Sequence, residues 1–298
     1  MTTTKIPTAA KAPSAKPQPR QETKIQEVHR GIALLPKNKP ILVVIPYCSQ
    51  GAQGREIEYA VAGWRKHFKE NFLIVLAGED HPVTKTGDDI CCIESPRVPG
   101  KEGQYRQHLD YVSCFRKVRQ AFPDQDGFIF VADDCYAVND FDLADVQTLK
   151  ISGESLLNFD LNSDNPWRRD VAKTRELLLR EGYPTRNYTT HLPQWFEWRK
   201  LEELWRRYDM DNESYVFETL YYNIYCGDRK PFWKLNFATD HFKCVVNRSD
   251  IDTIAPGNNV TGLELLKRAT EGWKLWIQNT VDGWSPLLDQ FLAQYYGI

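Results

Sequence analysis

The stretch Gly127 to Asp140, GFIFVADDCYAVND, decides how this chain is read. A short apolar run, Phe128 to Val131, gives way to the adjacent carboxylates Asp133 and Asp134. A run of this length bounded in this way reads as a buried strand. It delivers the two acids to the carboxyl edge of a sheet, where open α/β sheets bind their ligands. Adjacent carboxylates on a turn, with Asp140 six residues beyond Asp134, can hold a divalent cation through the hard oxygen ligands that magnesium and manganese prefer. The structural alternative is that Asp133 caps a helix and Asp134 is solvated.

Upstream, strand and helix signals alternate. Ile41 to Ile45 is a continuous apolar, largely β-branched run closed by Pro46, a candidate first central strand. Arg55 to Lys69 places Ile57, Ala60, Val61 and Trp64 at helical spacing. Phe72 to Ala77 is a second strand ending in Gly78, Glu79 and Asp80, and Ile90 to Ile93 a third. Residues 105 to 121 form a helix with Leu109, Val112, Phe115 and Val118 inward, ahead of the strand at Phe128. Such alternation predicts a parallel sheet with helices on both faces. The loop after the first strand carries Gly51 and Gly54 but neither a dinucleotide-binding fingerprint nor a phosphate-binding P-loop.

Downstream the rhythm changes. Ser155 to Phe159 reads as a strand, Arg168 to Arg180 as a helix, and Gly182 to Pro193 as a loop. Helices are predicted over Gln194 to Arg207, Tyr215 to Ile224, Gly262 to Ala269 and Pro286 to Tyr296, with a late strand at Phe242 to Val246. Residues 1–38 are an expected flexible tail, because their first two dozen positions are Thr, Ala, Pro and Lys without periodicity. Residues 39–298 form one expected α/β domain, with a first half near 39–160 and a second near 161–298.

Composition narrows the class. A net charge of -2 argues against a domain built to embrace nucleic acid non-specifically. No run approaches eighteen apolar residues and no apolar leader opens the chain, so neither integral membrane association nor secretion is expected. The 7 Cys include one adjacent pair, Cys91 and Cys92, and no CxxC. They fit a reducing, cytoplasmic setting and disfavour structural zinc.

The opening VVIPY (Val43 to Tyr47), the helix and second strand after it, and FIFVADDCY (Phe128 to Tyr136) together resemble the nucleotide-sugar glycosyltransferases of the A-type fold. The likeness spans roughly residues 39 to 246. Phe128 to Tyr136 and the TTHLP segment (Thr189 to Pro193) are also similar to bacterial capsule sugar-phosphate transferases and phage-encoded glycosyltransferases. The resemblance implies an α/β fold with a mixed, mainly parallel sheet flanked by helices and a helical C-terminal subregion. It implies a nucleoside diphosphate sugar as donor and Mn2+ or Mg2+ as cofactor. Pro46 and Tyr47 would lie beside the base, and Asp133 and Asp134 would stand where the family's Asp-Xaa-Asp motif binds the cation. Here the acids are adjacent and Cys135 occupies the third position, so one carboxylate would bind metal directly and the other through water or ribose.

The remaining candidates follow from the charge that such a reaction moves. Arg106, at the start of a helix, is the phosphate-binding candidate, with Asp110 one turn on as its ion-pair partner or as a further donor contact. His191 is the late histidine that the resemblance places in the metal shell, with helix capping or acceptor binding as the plainer reading; His241 is its rival. An inverting transfer needs a carboxylate to take the acceptor proton, for which Glu218, Asp240 and Glu197 are available. Glu218 stands out on the apolar helix YVFETLYYNIY. Trp195 and Trp198 could stack on a sugar or base and Arg199, Arg206 and Arg207 could meet phosphate, but the apolar spacing of Trp198, Leu201, Leu204, Trp205 and Tyr208 fits an ordinary packed helix face better. The acceptor, a glycan or modified nucleic acid, stays open. Sugar-phosphate transfer and non-catalytic nucleotide-sugar binding are the alternatives.

Overall fold

The computed structural model describes residues 39–49, 51–79, 88–98, 107–229, 232–235, 241–246, 262–279 and 283–298. The expected tail, Asp80, Arg106 and Asp240 lie outside them.

Five strands build the main sheet in the order β3-β2-β1-β4-β7: β1 (Ile41–Cys48), β2 (Phe72–Glu79), β3 (Ile90–Glu94), β4 (Gly127–Phe130) and β7 (Gln194–Glu197). The first four are parallel, and β7 closes the edge antiparallel to β4, so the sheet is mixed and mainly parallel. Strand alternation divides the core. Leu42, Val44, Leu73, Val75, Phe128 and Phe130 face one side. Helix α2 (Gln107–Ala121) covers that side with Val112, Phe115 and Val118. Val43, Ile45, Ile74, Leu76, Ile129 and Val131 face the other, against Ile57, Val61 and Trp64 of α1 (Glu56–His67). Both helical periodicities therefore point inward as the sequence predicts.

Strand β1 runs through Pro46 rather than stopping there, with Pro46 opposite Ala77 and Tyr47 opposite Gly78. Val44 accepts a hydrogen bond from the Val131 amide, so by alternation the nitrogen of Pro46 also faces the β4 side. Pairing between β1 and β4 has ended by that point, at Val44–Phe130, and the missing N–H leaves no ladder position empty.

Two downstream expectations are corrected. Gln194 to Glu197 is strand, and only Trp198–Arg207 is helix (α5). The open edge of β4 recruits these four residues, and Gly127 makes room for them: a Cβ there would meet the Phe196 carbonyl oxygen at 2.4 Å. Ser155 to Phe159 is a 3-10 turn rather than a strand; Ser155 Oγ accepts the Leu157 amide at 3.2 Å, and Leu156 and Phe159 are buried while Leu157 is exposed.

The first face is completed by α4 (Pro166–Arg180), α5 and α6 (Phe217–Cys226). Trp198 stacks on Phe128 at 4.2 Å, so the packing reading of that aromatic segment holds for Trp198. The opposite face carries β5 (Cys135–Ala137), β9 (Lys243–Val246) and β10 (Trp276–Asn279), hydrogen-bonded in the order β5-β10-β9. A short pair, β6 (Leu149–Ile151) with β8 (Phe232–Lys234), lies apart from it, and α3 (Leu143–Gln147) and α7 (Gly262–Arg268) are short helices. Beyond residue 161 the described chain is mainly helical and adds β8, β9 and β10 to two small sheets begun by β5 and β6. Helix α8 (Pro286–Tyr296) keeps its predicted limits because Ser285 caps it, Pro286 starts it and Gly297, at φ 74°, ends it. No helix of the described residues is long and apolar enough to cross a membrane.

Candidate active site

A cleft of about 320 Å³ opens at the carboxyl ends of β1, β2 and β4. Pro46, Tyr47, Asp110, Asp133, Asp134 and His191 all line it, so the structure gathers most of the residues singled out from the sequence. Glu56, Glu79 and Arg97 join them.

The turn after β4 sets the two acids in place. Asp134 is held by β10, the last of the described strands in the chain, since its carbonyl accepts the Asn279 amide at 3.2 Å and its Oδ2 accepts Gln278 Nε2 at 3.0 Å. Its Oδ1 is buried and meets no protein donor among the described residues. Such an orphaned carboxylate oxygen costs stability unless something absent from the protein satisfies it. Burial, with Asp134 and Glu56 as like charges, pushes Asp133 up to about 8.

His191 Nδ1 lies 3.7 Å from Asp134 Oδ2. The histidine adopts a left-handed φ of 57°, unusual without glycine, and its flanks hold it there. Gln194 Nε2 donates to the Tyr188 carbonyl and to Thr190 Oγ1 at 2.8 and 3.1 Å. Lys243 Nζ donates to the Thr190 carbonyl at 2.6 Å, and Leu192 is buried in the core. His241, the rival, instead stands over Phe242 at 3.9 Å and does not line the cleft.

Glu56 is a cleft acid that the sequence reading missed. It is buried in the first turn of α1, where Oε2 accepts the Gln53 amide and Oε1 accepts Asn279 Nδ2, both at 2.7 Å. Burial raises its pKa, and these two donors oppose the rise. Its signal was a glutamate three residues after Gln53 at a helix start. Gln278 and Asn279 were missed too; their signal was two amides ending the apolar run Leu275 to Ile277.

The far wall is equally tied down. Asp110 Oδ1 accepts the Val98 amide, and Glu79 Oε1 accepts the Arg97 amide at 3.0 Å, so both acids fix the segment after β3. The Arg97 guanidinium reaches Cys48 Sγ. Gly78 lets β1 and β2 stay paired here, because a Cβ would fall 1.8 Å from the Tyr47 carbonyl oxygen.

Asp140 is not part of the site. It is exposed, pairing with Lys69 at 2.8 Å and His67 at 3.0 Å. Glu218 is buried on α6 and does not line the cleft wall. Its Oε2 has no protein partner among the described residues, burial pushes it up to about 7, and the charge of His191 opposes that rise. Glu197 bonds Lys200 instead.

Among the described residues no three His, Cys, Asp or Glu side chains converge as a complete metal cage. Asp134 and His191 nevertheless fit a cation that takes its other ligands from substrate and water, as magnesium does beside phosphates.

At the level of sequence, no family model and no curated protein matches the chain. Among solved structures, the WbbM bifunctional glycosyltransferase in its apo form is similar at TM-score 0.45 and 13% identity, over 83% of this chain and 47% of that one. The chain thus spans about half the length of that neighbour. A glycosyltransferase involved in the glycosylation of the major capsid of PBCV-1 is similar at TM-score 0.39 and 13% identity, over 86% of this chain and 100% of that one. At 13% identity neither overlay assigns a role to any side chain of this protein.

Proposed function

We propose that the chain is a metal-dependent glycosyltransferase, moving a sugar from a nucleoside diphosphate sugar to an acceptor hydroxyl. The observation that carries this reading is Asp134, whose Oδ1 is buried without a protein partner beside His191, at the edge of a cleft that Glu56, Glu79, Asp110 and Asp133 also line. Asp133 is largely protonated at neutral pH, but the other carboxylates of the cleft would repel a diphosphate unless a divalent cation accompanied it. When bound, that Mn2+ or Mg2+ supplies neutralisation of the charge growing on the leaving diphosphate.

Asp134 and His191 hold the cation, with Asp133 contributing through water or ribose. Pro46 and Tyr47 bound the end of the cleft assigned to the base. Asp110 and Glu79 present carboxylate oxygens to donor hydroxyls or amines, and Arg106 is assigned to the phosphates. In the transfer, the acceptor oxygen bonds to the anomeric carbon while the bond from that carbon to the diphosphate oxygen breaks, and the electron pair leaves with the diphosphate. For an inverting outcome the hydroxyl proton is assigned to Asp240, because Glu218, the other candidate, is buried and does not line the cleft in which the hydroxyl would stand.

The test is a screen of nucleoside diphosphate sugars for manganese-dependent binding and hydrolysis. Asp134→Ala is expected to remove the metal-dependent component, and an unchanged metal response sinks the assignment. Release of nucleoside monophosphate would mark sugar-phosphate transfer instead. Specific binding with no turnover by any donor would mark a binding protein.

A further inference from the structure

The loop that follows β1 forms one wall of the cleft through Gly51 and Gln53. It folds back on the strand, since the amides of Gly51 and Ala52 both donate to the Cys48 carbonyl at 3.0 Å. Glycine gives such a wall little stiffness of its own, because it has more backbone freedom to lose than any other residue. A grip on the loop comes instead from the far end of the chain. Trp284 packs on Gly54 so closely that a Cβ there would lie 2.5 Å from its Nε1 and 2.6 Å from two of its ring carbons, and Gly54 meets it at a left-handed φ of 55°. Trp284 itself does not line the cleft.

The indole is anchored in turn. It stacks on Tyr59 at 6.1 Å with 29° between the rings, and Tyr59 is buried in α1 with its hydroxyl donating to Asp289 Oδ1 of α8 at 2.8 Å. Ser285, the next residue, caps α8. Earlier in the chain, Asn279 donates to Glu56, whose other carboxylate oxygen accepts the Gln53 amide. Asn279 and Trp284 therefore grip the exit of the loop on either side of Arg55, one through hydrogen bonds and one through packing.

Resting on the glycosyl-transfer reading, we infer that Trp284 is a positioning residue for donor binding: it fixes the wall at residues 51–53 against which the nucleoside diphosphate lies. A wall ordered before the ligand arrives spares the ligand the entropy of ordering it, so the contact acts on affinity more than on the transfer step.

The test uses the full chain as Trp284→Ala, Trp284→Phe, Gly54→Ala and Asp289→Ala. Amide hydrogen exchange over residues 48–56, read by mass spectrometry, reports the loop. Calorimetric binding of UDP, GDP, ADP, CDP and dTDP with Mn2+ reports the donor site. Trp284→Ala is expected to speed exchange at Gly51 and Ala52 about tenfold and to weaken the tightest diphosphate about tenfold, as loss of one aromatic contact would. Trp284→Phe, which keeps a ring beside Gly54 and Tyr59, is expected to recover most of both. Gly54→Ala drives its new Cβ into the indole and is expected to act in the same direction as Trp284→Ala. Asp289→Ala removes a hydrogen bond to Tyr59 and is expected to lower the urea midpoint with diphosphate affinity unchanged, which separates positioning from plain stability. The inference is overturned if Trp284→Ala leaves loop exchange unchanged, if exchange quickens while the diphosphate binds as before, or if Asp289→Ala weakens binding as much as Trp284→Ala. If no diphosphate binds the unaltered protein, the transfer reading fails and takes the donor role of Trp284 with it; unchanged exchange in Trp284→Ala, with binding intact in the unaltered protein, strikes the inference alone.

Discussion

Replacing Glu218 by Gln is expected to make the protein more stable above neutral pH. The carboxyl is buried, and its pKa rises from an ordinary 4.5 to about 7 chiefly through burial. Because the folded state holds the proton more tightly than the unfolded chain, stability is greatest below pH ~4.5 and falls as pH climbs through ~7. The pKa difference of about 2.5, at ~1.4 kcal/mol for each pKa unit, corresponds to a penalty of about 3 kcal/mol above pH 7. A neutral amide of the same shape does not suffer it. Glu218→Gln should therefore gain up to about 3 kcal/mol at pH 8, or ~6 °C in Tm for a chain of this size, and almost nothing at pH 4.5. Urea denaturation at several pH values reads the gain directly. A stability difference that stays flat from pH 4.5 to 8 would refute the reasoning, since it would mean that the carboxyl is not protonated by burial.

Three further outcomes follow from the same geometry. His191→Gly should relieve the left-handed backbone by ~1 kcal/mol yet weaken manganese-dependent donor binding; a loss of stability would show that φ 57° carries no strain. Gly78→Ala should destabilise by about 3 kcal/mol, seen as a lower urea midpoint, because the new Cβ would meet the Tyr47 carbonyl oxygen at 1.8 Å. Trp198→Ala should cost about 3–5 kcal/mol through loss of the stack on Phe128, with the metal response retained in the folded fraction.

Much of the sheet was legible because period and burial agree. The apolar runs at Ile41, Phe72 and Phe128 have residues packed on both faces, so they read as continuous hydrophobic strands. Asp133 and Asp134 were legible for the same reason, since a buried strand must end before it can release two charges. Gln194 to Glu197 misled because helical spacing continues into Trp198–Arg207, and only the open edge of β4 diverts those residues into a strand. Gln278 and Asn279 went unread because their role depends on contacts remote in sequence: Asn279 reaches Glu56 across 223 positions. Glu56 looked like an ordinary first-turn acid, and nothing local marks its burial.

That long reach has a consequence for synthesis. A nascent chain that has grown only to residue 270 already contains all five strands of the main sheet, but not the strand that grips Asp134 and Glu56. Its acids would face one another without the two amides that orient them. The protein should therefore gain its ligand-competent form only late in translation, when Trp276–Asn279 docks beside Cys135–Ala137.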